Sequence, residues 1–431
     1  MKYYVRLTIL LGLVYGLIGV QRIVIAVIMP SIQEDMKFTY TDVGLIMAVT
    51  GLLWAFGAVT WAAVGDRWGR RPVIAGTTLL AAVFSWLTGL VTSVGQMLAV
   101  RGVLGFFEGG PFSPSVATVS EEAPPKNRGF VVAFIPACFA LLGGVAGPIA
   151  AVAFLEEFGS WRHVFYFISI PGALFAVITL FVMHEPPSIA ERVKMRKSGK
   201  GKALSSGTGG KDSLISVLRY KNVIVSTVMS VAVMGWLWVS QAFLALFLTK
   251  IHSMGMGQIG AIMGIMGLGG FIGMPVSGLV SDHLGRKTVM IGAGITSTLC
   301  GIMVCMLPNG VSLPVLSLSL ALWGFCTAAT YPLYLGALLT ECVPEELAGT
   351  AVSVPTGVGE IFGAAVVPTI AGILADRFGL YAPMWMATLS GVAIACISFF
   401  YIETAPKKVS RMRSKPNPDD YLIRRFRAVG L

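Results

Sequence analysis

The sequence predicts an all-α membrane protein, with twelve transmembrane helices arranged as two pseudo-symmetric six-helix halves. Three observations predict it. Hydrophobic residues make up 55% of the 431-residue chain and charged residues only 12%. A soluble surface of this size needs roughly twice that charge, since soluble domains carry about 25%. Apolar runs of the roughly 20 residues needed to cross a bilayer recur along the whole chain. Finally, the two halves repeat. Gly57 to Ile74 reads GAVTWAAVGDRWGRRPVI and Gly273 to Met290 reads GMPVSGLVSDHLGRKTVM, so that at an offset of 216 Gly57, Asp66, Gly69, Arg70 and Val73 fall on Gly273, Asp282, Gly285, Arg286 and Val289. A second pair, Pro124 and Gly129 against Pro344 and Gly349, aligns at an offset of 220.

The first span is placed at 6–30. Lys2 and Arg6 give it a signal-like basic start, but no small-residue cleavage site follows, so it reads as a retained helix. Spans at 42–64, 72–93, 95–119, 129–155 and 164–184 complete the N-terminal half, residues 1–184. Residues 185–222 hold the run SGKGKALSSGTGGKDS and nine Lys/Arg against three acids, the composition of a flexible linker facing the cytoplasm. Spans at 223–250, 258–281, 288–307, 311–340, 349–375 and 382–402 form the C-terminal half, 223–403, and a basic tail occupies 404–431. The 51 glycines and 22 prolines sit inside these apolar segments, where neighbouring helices satisfy the freed backbone groups, and not in a collagen-like repeat.

Basic residues orient the chain. With both termini inside, 26 of the 32 Lys/Arg lie in cytoplasmic segments, and only Lys37, Arg162, Lys250 and Arg377 lie in external ones. That bias predicts a multi-pass inner-membrane protein with cytoplasmic N- and C-termini. It also accounts for the net charge of +11 without nucleic acid, because the basic excess faces anionic lipids of the inner leaflet.

Asp66-x-x-Gly69-Arg70-Arg71 and Asp282-x-x-Gly285-Arg286-Lys287 resemble the signature loop of the major facilitator superfamily. The glycine that usually opens this motif is Ala62 in the first copy and Gly278 in the second. The resemblance covers nearly the whole chain and implies the major facilitator fold, with Asp66, Arg70, Asp282 and Arg286 in gating loops. On this topology the eleventh span starts on the same side, so Asp66 is placed to meet its positive N-terminal end. The fourth-span stretch Arg101-Gly-Val-Leu-Gly105-Phe-Phe-Glu108 and the following Pro124-Pro-Lys-Asn-Arg128-Gly129 resemble the anion:cation symporter branch. That resemblance implies an organic-anion site at Arg101 and a coupling proton on Glu108. A similar stretch occurs in spinster-type carriers, so the alternative function is a proton-coupled exporter of amphipathic, lipid-like or drug-like molecules. Gln21-Arg22 stands where many members have Asp-Arg, keeping the arginine and losing the acid. Trp161-Arg162-His-Val-Phe165 is a common superfamily turn that bears on fold and not on substrate.

Arg22, Arg101, Glu108 and Glu360 are charges inside spans, each costing about 3 kcal/mol at a helix centre on insertion scales, so each needs a partner or a watery cavity. Two guanidiniums at similar depth make an anion site, because the planar fork grips a carboxylate and keeps its charge. The bland alternative is an ion pair that glues helices. Arg101 and Glu108 stand two turns apart, about 10 Å along the axis, too far to pair directly. A carboxylate at mid-membrane depth that gains and loses a proton is what proton coupling requires. Glu360 reads as a second proton site, a cation site, or an ion-pair partner of Arg22 or Arg101. Gln21, Trp236, Gln241 and Tyr331 are the further substrate-lining candidates, with Trp238, Ser240 and Tyr334 close by; packing against lipid is the competing reading of the aromatics.

Some motifs fail. Gly207 to Lys211 lacks phosphate-loop spacing and follows no strand, and Gly357-Val-Gly359 lies mid-helix. His163 and His252 are isolated. The six cysteines (138, 300, 305, 326, 342 and 396) show neither metal-ligand nor disulfide-framework spacing and read as apolar fillers. No cofactor and no enzymatic activity are expected. Internal duplication of six-helix halves points to a transporter with its site at mid-membrane between the halves. The partners implied are a small organic anion, protons and membrane lipids, acting on a monomer.

Overall fold

A computed structural model describes residues 2–124, 127–186, 189–191, 216–308 and 310–405. Most of the predicted linker and nearly all of the predicted basic tail lie outside the described residues, as does Lys126. Among the described residues the chain is helices joined by short loops, and eleven of the helices are long and apolar enough to cross a membrane. In the N-terminal half these are α1 (Tyr3–Met36), α2 (Tyr40–Trp68), α3 (Arg70–Thr88), α6 (Arg128–Phe158) and α7 (Trp161–Val182). The C-terminal half has α8 (Lys221–Lys250), α9 (Met256–Leu284), α10 (Arg286–Met306), α11 (Leu313–Thr340), α12 (Leu347–Phe378) and α13 (Tyr381–Ser398).

The twelfth span is broken. The predicted run at 95–119 forms two helices, α4 (Val94–Glu108) and α5 (Phe112–Glu122), each too short to span alone. Between them lie Gly109, Gly110 and Pro111. Pro111 has no N–H to give, and Gly110 N bonds back three residues to Phe107 O at 3.0 Å, a tighter turn than the α-helix makes. Because Gly109 and Pro111 keep right-handed helical angles, the chain continues in the same direction.

Local chemistry sets the other ends. The Thr39 side chain caps α2 and pairs reciprocally with Asp42, a capping box. Gly69 (φ 116°) and Gly285 (φ 98°) make the matching turns after α2 and α9, in a conformation that disfavours any side chain. Within α6 and α12, widened π-helical turns occupy Phe139–Ala146 and Gly359–Val366. Those ranges are related by the same offset of 220 that the Pro-Gly pair shows, so the duplication extends to a backbone irregularity. Each π segment sits at the seam: that of α6 packs on α1 and on α9 of the other half, and that of α12 packs on α8 and on α2.

Burial is uneven along the molecular axis. At the end carrying the loops 37–39, 251–255 and 379–380, one core merges both halves, including Ile28, Val43 and Phe165 with Phe243, Trp323 and Met384. At the opposite end, which carries the Asp66 and Asp282 loops, each half keeps its own core: Leu11, Ile18, Ile74 and Val131 in one, Met229, Met290, Tyr334 and Ile394 in the other. The halves are therefore joined at one end and separate at the other. At the joined end backbones touch. A Cβ on Gly267 of α9 would overlap the Gly144 carbonyl of α6, and one on Gly44 of α2 would overlap the Pro368 carbonyl of α12. Large side chains such as Phe56, Leu174, Phe181 and Leu389 are exposed around the outside, as in a lipid-facing belt.

Candidate functional site

The seam below the joined end holds all four intramembrane charges. Arg22, Arg101, Glu108 and Glu360 are each buried, between 0 and 5% exposed. Arg22, on α1, reaches across to the second half, where its Nη2 lies 3.4 Å from Glu360 Oε2. Its guanidinium also lies over two indoles, 4.9 Å from the Trp54 ring of α2 and 4.2 Å from the Trp238 ring of α8. Cation–π contacts of this kind are worth about 0.5–2 kcal/mol each, more when water is excluded. They hold the fork at a fixed place while satisfying few of its N–H groups.

Arg101, on α4, comes to the same centre from the other side. Its Nη1 donates to the backbone carbonyl of Gln21 at 3.3 Å, one residue from Arg22. The Gln21 side chain packs against Gly172 of α7, where a Cβ would meet Gln21 Nε2 at 2.5 Å. Glu108 closes the α4 helix just before the break, two turns below Arg101. Arg101 Nε and Nη2, Arg22 Nε, both side-chain atoms of Gln21, both carboxylate oxygens of Glu108, and the indole nitrogens of Trp54 and Trp238 are buried without a hydrogen-bond partner among the described residues. Native interiors leave few polar groups in that state, and a cluster of them calls for a ligand or water. Donors outnumber acceptors here, so the site suits an acceptor-rich molecule.

The remaining candidates divide. Tyr331 on α11 packs with Trp238 and Met234 and stacks edge-on against Tyr334, 5.5 Å between ring centroids. Gln241 Oε1, one turn beyond Trp238, has no partner among the described residues. Trp236 belongs elsewhere: it packs in the joined-end core, edge-on against Trp323 at 5.8 Å. The aromatic surface beside Arg22 comes from Trp238 and Trp54. Trp54 was not singled out from sequence, because an indole in an apolar span carries no charge to mark it.

The two signature loops form twin clamps. Arg70 bonds Asp66 (3.3 Å) and Glu121 (2.8 Å), while its backbone N–H donates to Glu185 (2.6 Å). Arg286 bonds Asp282 (2.6 Å) and Glu341 (3.0 Å), with its N–H donating to Glu403 (2.8 Å). Asp66 thus faces Arg70 and makes no contact with the start of α12 among the described residues; the halves are apart at this end, which removes the helix terminus from reach. Extending the 220 offset from Pro124 back to Glu121 would have picked out Glu341 as its counterpart. Among the described residues, no group of three or more His, Cys, Asp or Glu could hold a metal.

Joined by a polar latch as well, the two halves meet at Asp376 of α12. Its carboxylate accepts from Tyr40 N (2.9 Å), Thr41 N (2.9 Å) and Thr41 Oγ1 (2.5 Å), capping the N-terminus of α2 from the other half. His252, in the loop between α8 and α9, is buried against Phe247 with ring centroids 5.2 Å apart, and burial pushes its imidazole below the usual histidine range.

Comparison with known proteins agrees with this architecture. A probable 4-methylmuconolactone transporter of Cupriavidus pinatubonensis is 25% identical over 374 residues, covering 85% of this chain and 83% of that one. A probable sulfoacetate transporter of Cupriavidus necator is 23% identical over 401 residues, covering 90% of this chain and 91% of that one. Among solved structures, a bacterial homologue of the human lysosomal transporter spinster, inward-facing and unoccupied, superposes with a TM-score of 0.76 at 17% identity, covering 93% of this chain and 96% of that one. The profile of the Major Facilitator Superfamily matches residues 11–360, which takes in both signature loops, the π segment of α6 and the four buried charges. On that match, this multi-pass membrane protein belongs to the Major Facilitator Superfamily of transporters.

Proposed function

We propose that the chain is a proton-coupled symporter of a small organic anion, a carboxylate, working by alternating access in an inner membrane with both termini cytoplasmic. The observation that carries this reading is the pair of buried guanidiniums at the seam between the halves, in which Arg22 Nε and Arg101 Nε and Nη2 have no protein acceptor among the described residues. Relatives named for 4-methylmuconolactone and sulfoacetate, both organic anions, support the same class. In this mechanism Arg101 and Arg22 grip the anion, Gln21, Gln241, Tyr331 and Trp238 line its cavity, and Glu108 carries the proton. With the termini inside, the joined end is external, so the conformation is inward-facing. Rocking the halves about the buried site would join the separate cores and part the merged one.

The test is thermal stabilisation of the purified protein by organic anions (4-methylmuconolactone and sulfoacetate among them), lipophilic cations and lysolipids, repeated on Arg101→Ala. An anion that stabilises the wild type and not the variant supports the symporter. Stabilisation by lysolipids or lipophilic cations alone would replace it with the exporter reading. Uptake of the stabilising anion into proteoliposomes, driven by an inward proton gradient, then tests coupling.

A further inference from the structure

The Arg22–Glu360 pair has the position of a structural tie and the geometry of a poor one. It joins α1 of one half to the π segment of α12 in the other, with the side chains 3% and 7% exposed. Yet it rests on a single contact of 3.4 Å, whereas an arginine fork and a carboxylate make two parallel bonds at about 2.7–2.9 Å when free to do so. Glu360 accepts no other hydrogen bond among the described residues, and Arg22 Nε goes without a partner. Two charges removed from water are compensated only by close, multiple contacts. This pair lacks them, so a free carboxylate able to reach both edges of the Arg22 fork would be held better than Glu360 is.

We infer that Glu360 is the chain's own stand-in for the transported carboxylate: it occupies the anion seat at Arg22, beside Trp54 and Trp238, until the incoming anion displaces it. This rests on the anion reading of the site and adds the identity of the competing group. The buried centre holds two cations, Arg22 and Arg101, and two acids, Glu108 and Glu360. At the Arg22 seat an arriving carboxylate group adds one negative charge and releases Glu360 from its cation. One proton, taken from the aqueous face that the anion came from and placed on the Glu360 carboxylate, restores the count. No other bond changes. Binding of the anion and protonation of Glu360 then favour one another, a reciprocal coupling between two events at one arginine.

The groups facing Glu360 are few. Arg22 and Tyr15 come from α1, Tyr331 and Tyr334 from α11, and Glu108 lies further off across the seam. From the other helices packed on this segment, α2 presents Trp54 and α8 presents Trp238, neither of which titrates in the ordinary range. Arg22 is the cation among them, so the affinity of the seat for an anion and the protonation of Glu360 are read at the same place.

A competitor and a tie predict opposite effects of removing the acid. Isothermal titration calorimetry of the full-length protein in detergent, with 4-methylmuconolactone and with sulfoacetate as probes, gives Kd. Repeating it in two buffers of different ionisation enthalpy gives the number of protons taken up. Glu360→Gln is expected to tighten binding about tenfold, equivalent to about 1.4 kcal/mol, and to take up one proton fewer per anion than the wild type. Arg22→Gln is expected to lose binding. Glu360→Asp draws the acid back by one methylene, so it should bind between the wild type and Glu360→Gln while keeping the proton; it carries the test should the glutamine variant fail to fold. Wild-type affinity or weaker binding in Glu360→Gln, with an unchanged proton count, would make the pair a helix tie and overturn the inference while leaving the anion site standing. If neither probe binds the folded wild type or the folded variants, the anion reading fails and the inference falls with it.

Discussion

At the scale of single residues, the stacked arginine is the most informative arrangement. Two indoles hold the Arg22 fork without consuming its donors, so on the proposed mechanism they would pre-organise the anion seat at little cost to its donors. Trp238→Leu should therefore weaken binding of a stabilising anion by about tenfold, in line with a cation–π contact of ~1–2 kcal/mol, while leaving the protein folded; calorimetry on the folded variant measures this. A buried neutral histidine leads to a separate expectation. His252 has its protonation disfavoured by burial, so acid stabilises the unfolded chain, which accepts the proton, over the folded one, which resists it. The resulting penalty is absent well above pH 6.5 and grows as pH falls below it. The melting temperature should drop more between pH 7.5 and pH 5.5 in the wild type than in His252→Leu. The charged members of the site were legible in the sequence because charge inside an apolar span is conspicuous. Trp54 was not, and Trp236 was chosen over Trp238, because alternate faces of a helix in a membrane look alike until the neighbouring helices are in place.

Among the helices, the close contacts at the joined end are what would hold this state under the proposed alternating access. Asp376 caps α2 from the opposite half, and the loss of such a cap costs about 0.5–2 kcal/mol. Asp376→Ala should shift the population toward opening at that end. Gly267→Val should do so more strongly, since a side chain there would push into the Gly144 carbonyl of α6. Distances between spin labels placed on the 37–39 and 379–380 loops would lengthen in both variants; unchanged distances would show that other contacts hold the end closed. Eleven of the twelve spans expected from hydropathy correspond to helices long and apolar enough to cross a membrane, to within a few residues at most ends. The break at Gly109–Pro111 was not readable, because glycine and proline are ordinary in membrane helices and their effect depends on packing. Nor were the π segments, which leave no mark on composition.

Across the whole molecule, the duplication first seen in two loops extends to clamps, π segments and cores. Arg70 and Arg286 hold equivalent acids in the two halves, at offsets that the sequence repeat dictates. Replacing either with alanine should remove the matching pair of acid contacts, and Arg286→Ala also loses a bond to Ser281 Oγ (2.6 Å), so each variant should lower the melting temperature by about a few degrees, Arg286→Ala somewhat more. A large inequality in differential scanning calorimetry would mean that the clamps have diverged in role. The paired acids Glu121 and Glu341 were hidden for a simple reason: acids at helix ends are commonplace, and only the repeat offset relates them.

The separate core of the N-terminal half, built from Leu11, Ile18, Ile74, Val131 and their neighbours, uses helices of that half alone. It can therefore form while the C-terminal half is still on the ribosome. Membrane insertion would then proceed as the docking of two prefolded units, and the glycine contacts at the joined end would be among the last to form. Synthesis of the halves as two separate polypeptides should still yield an assembled carrier, whereas a cut inside α4 or α5 should not.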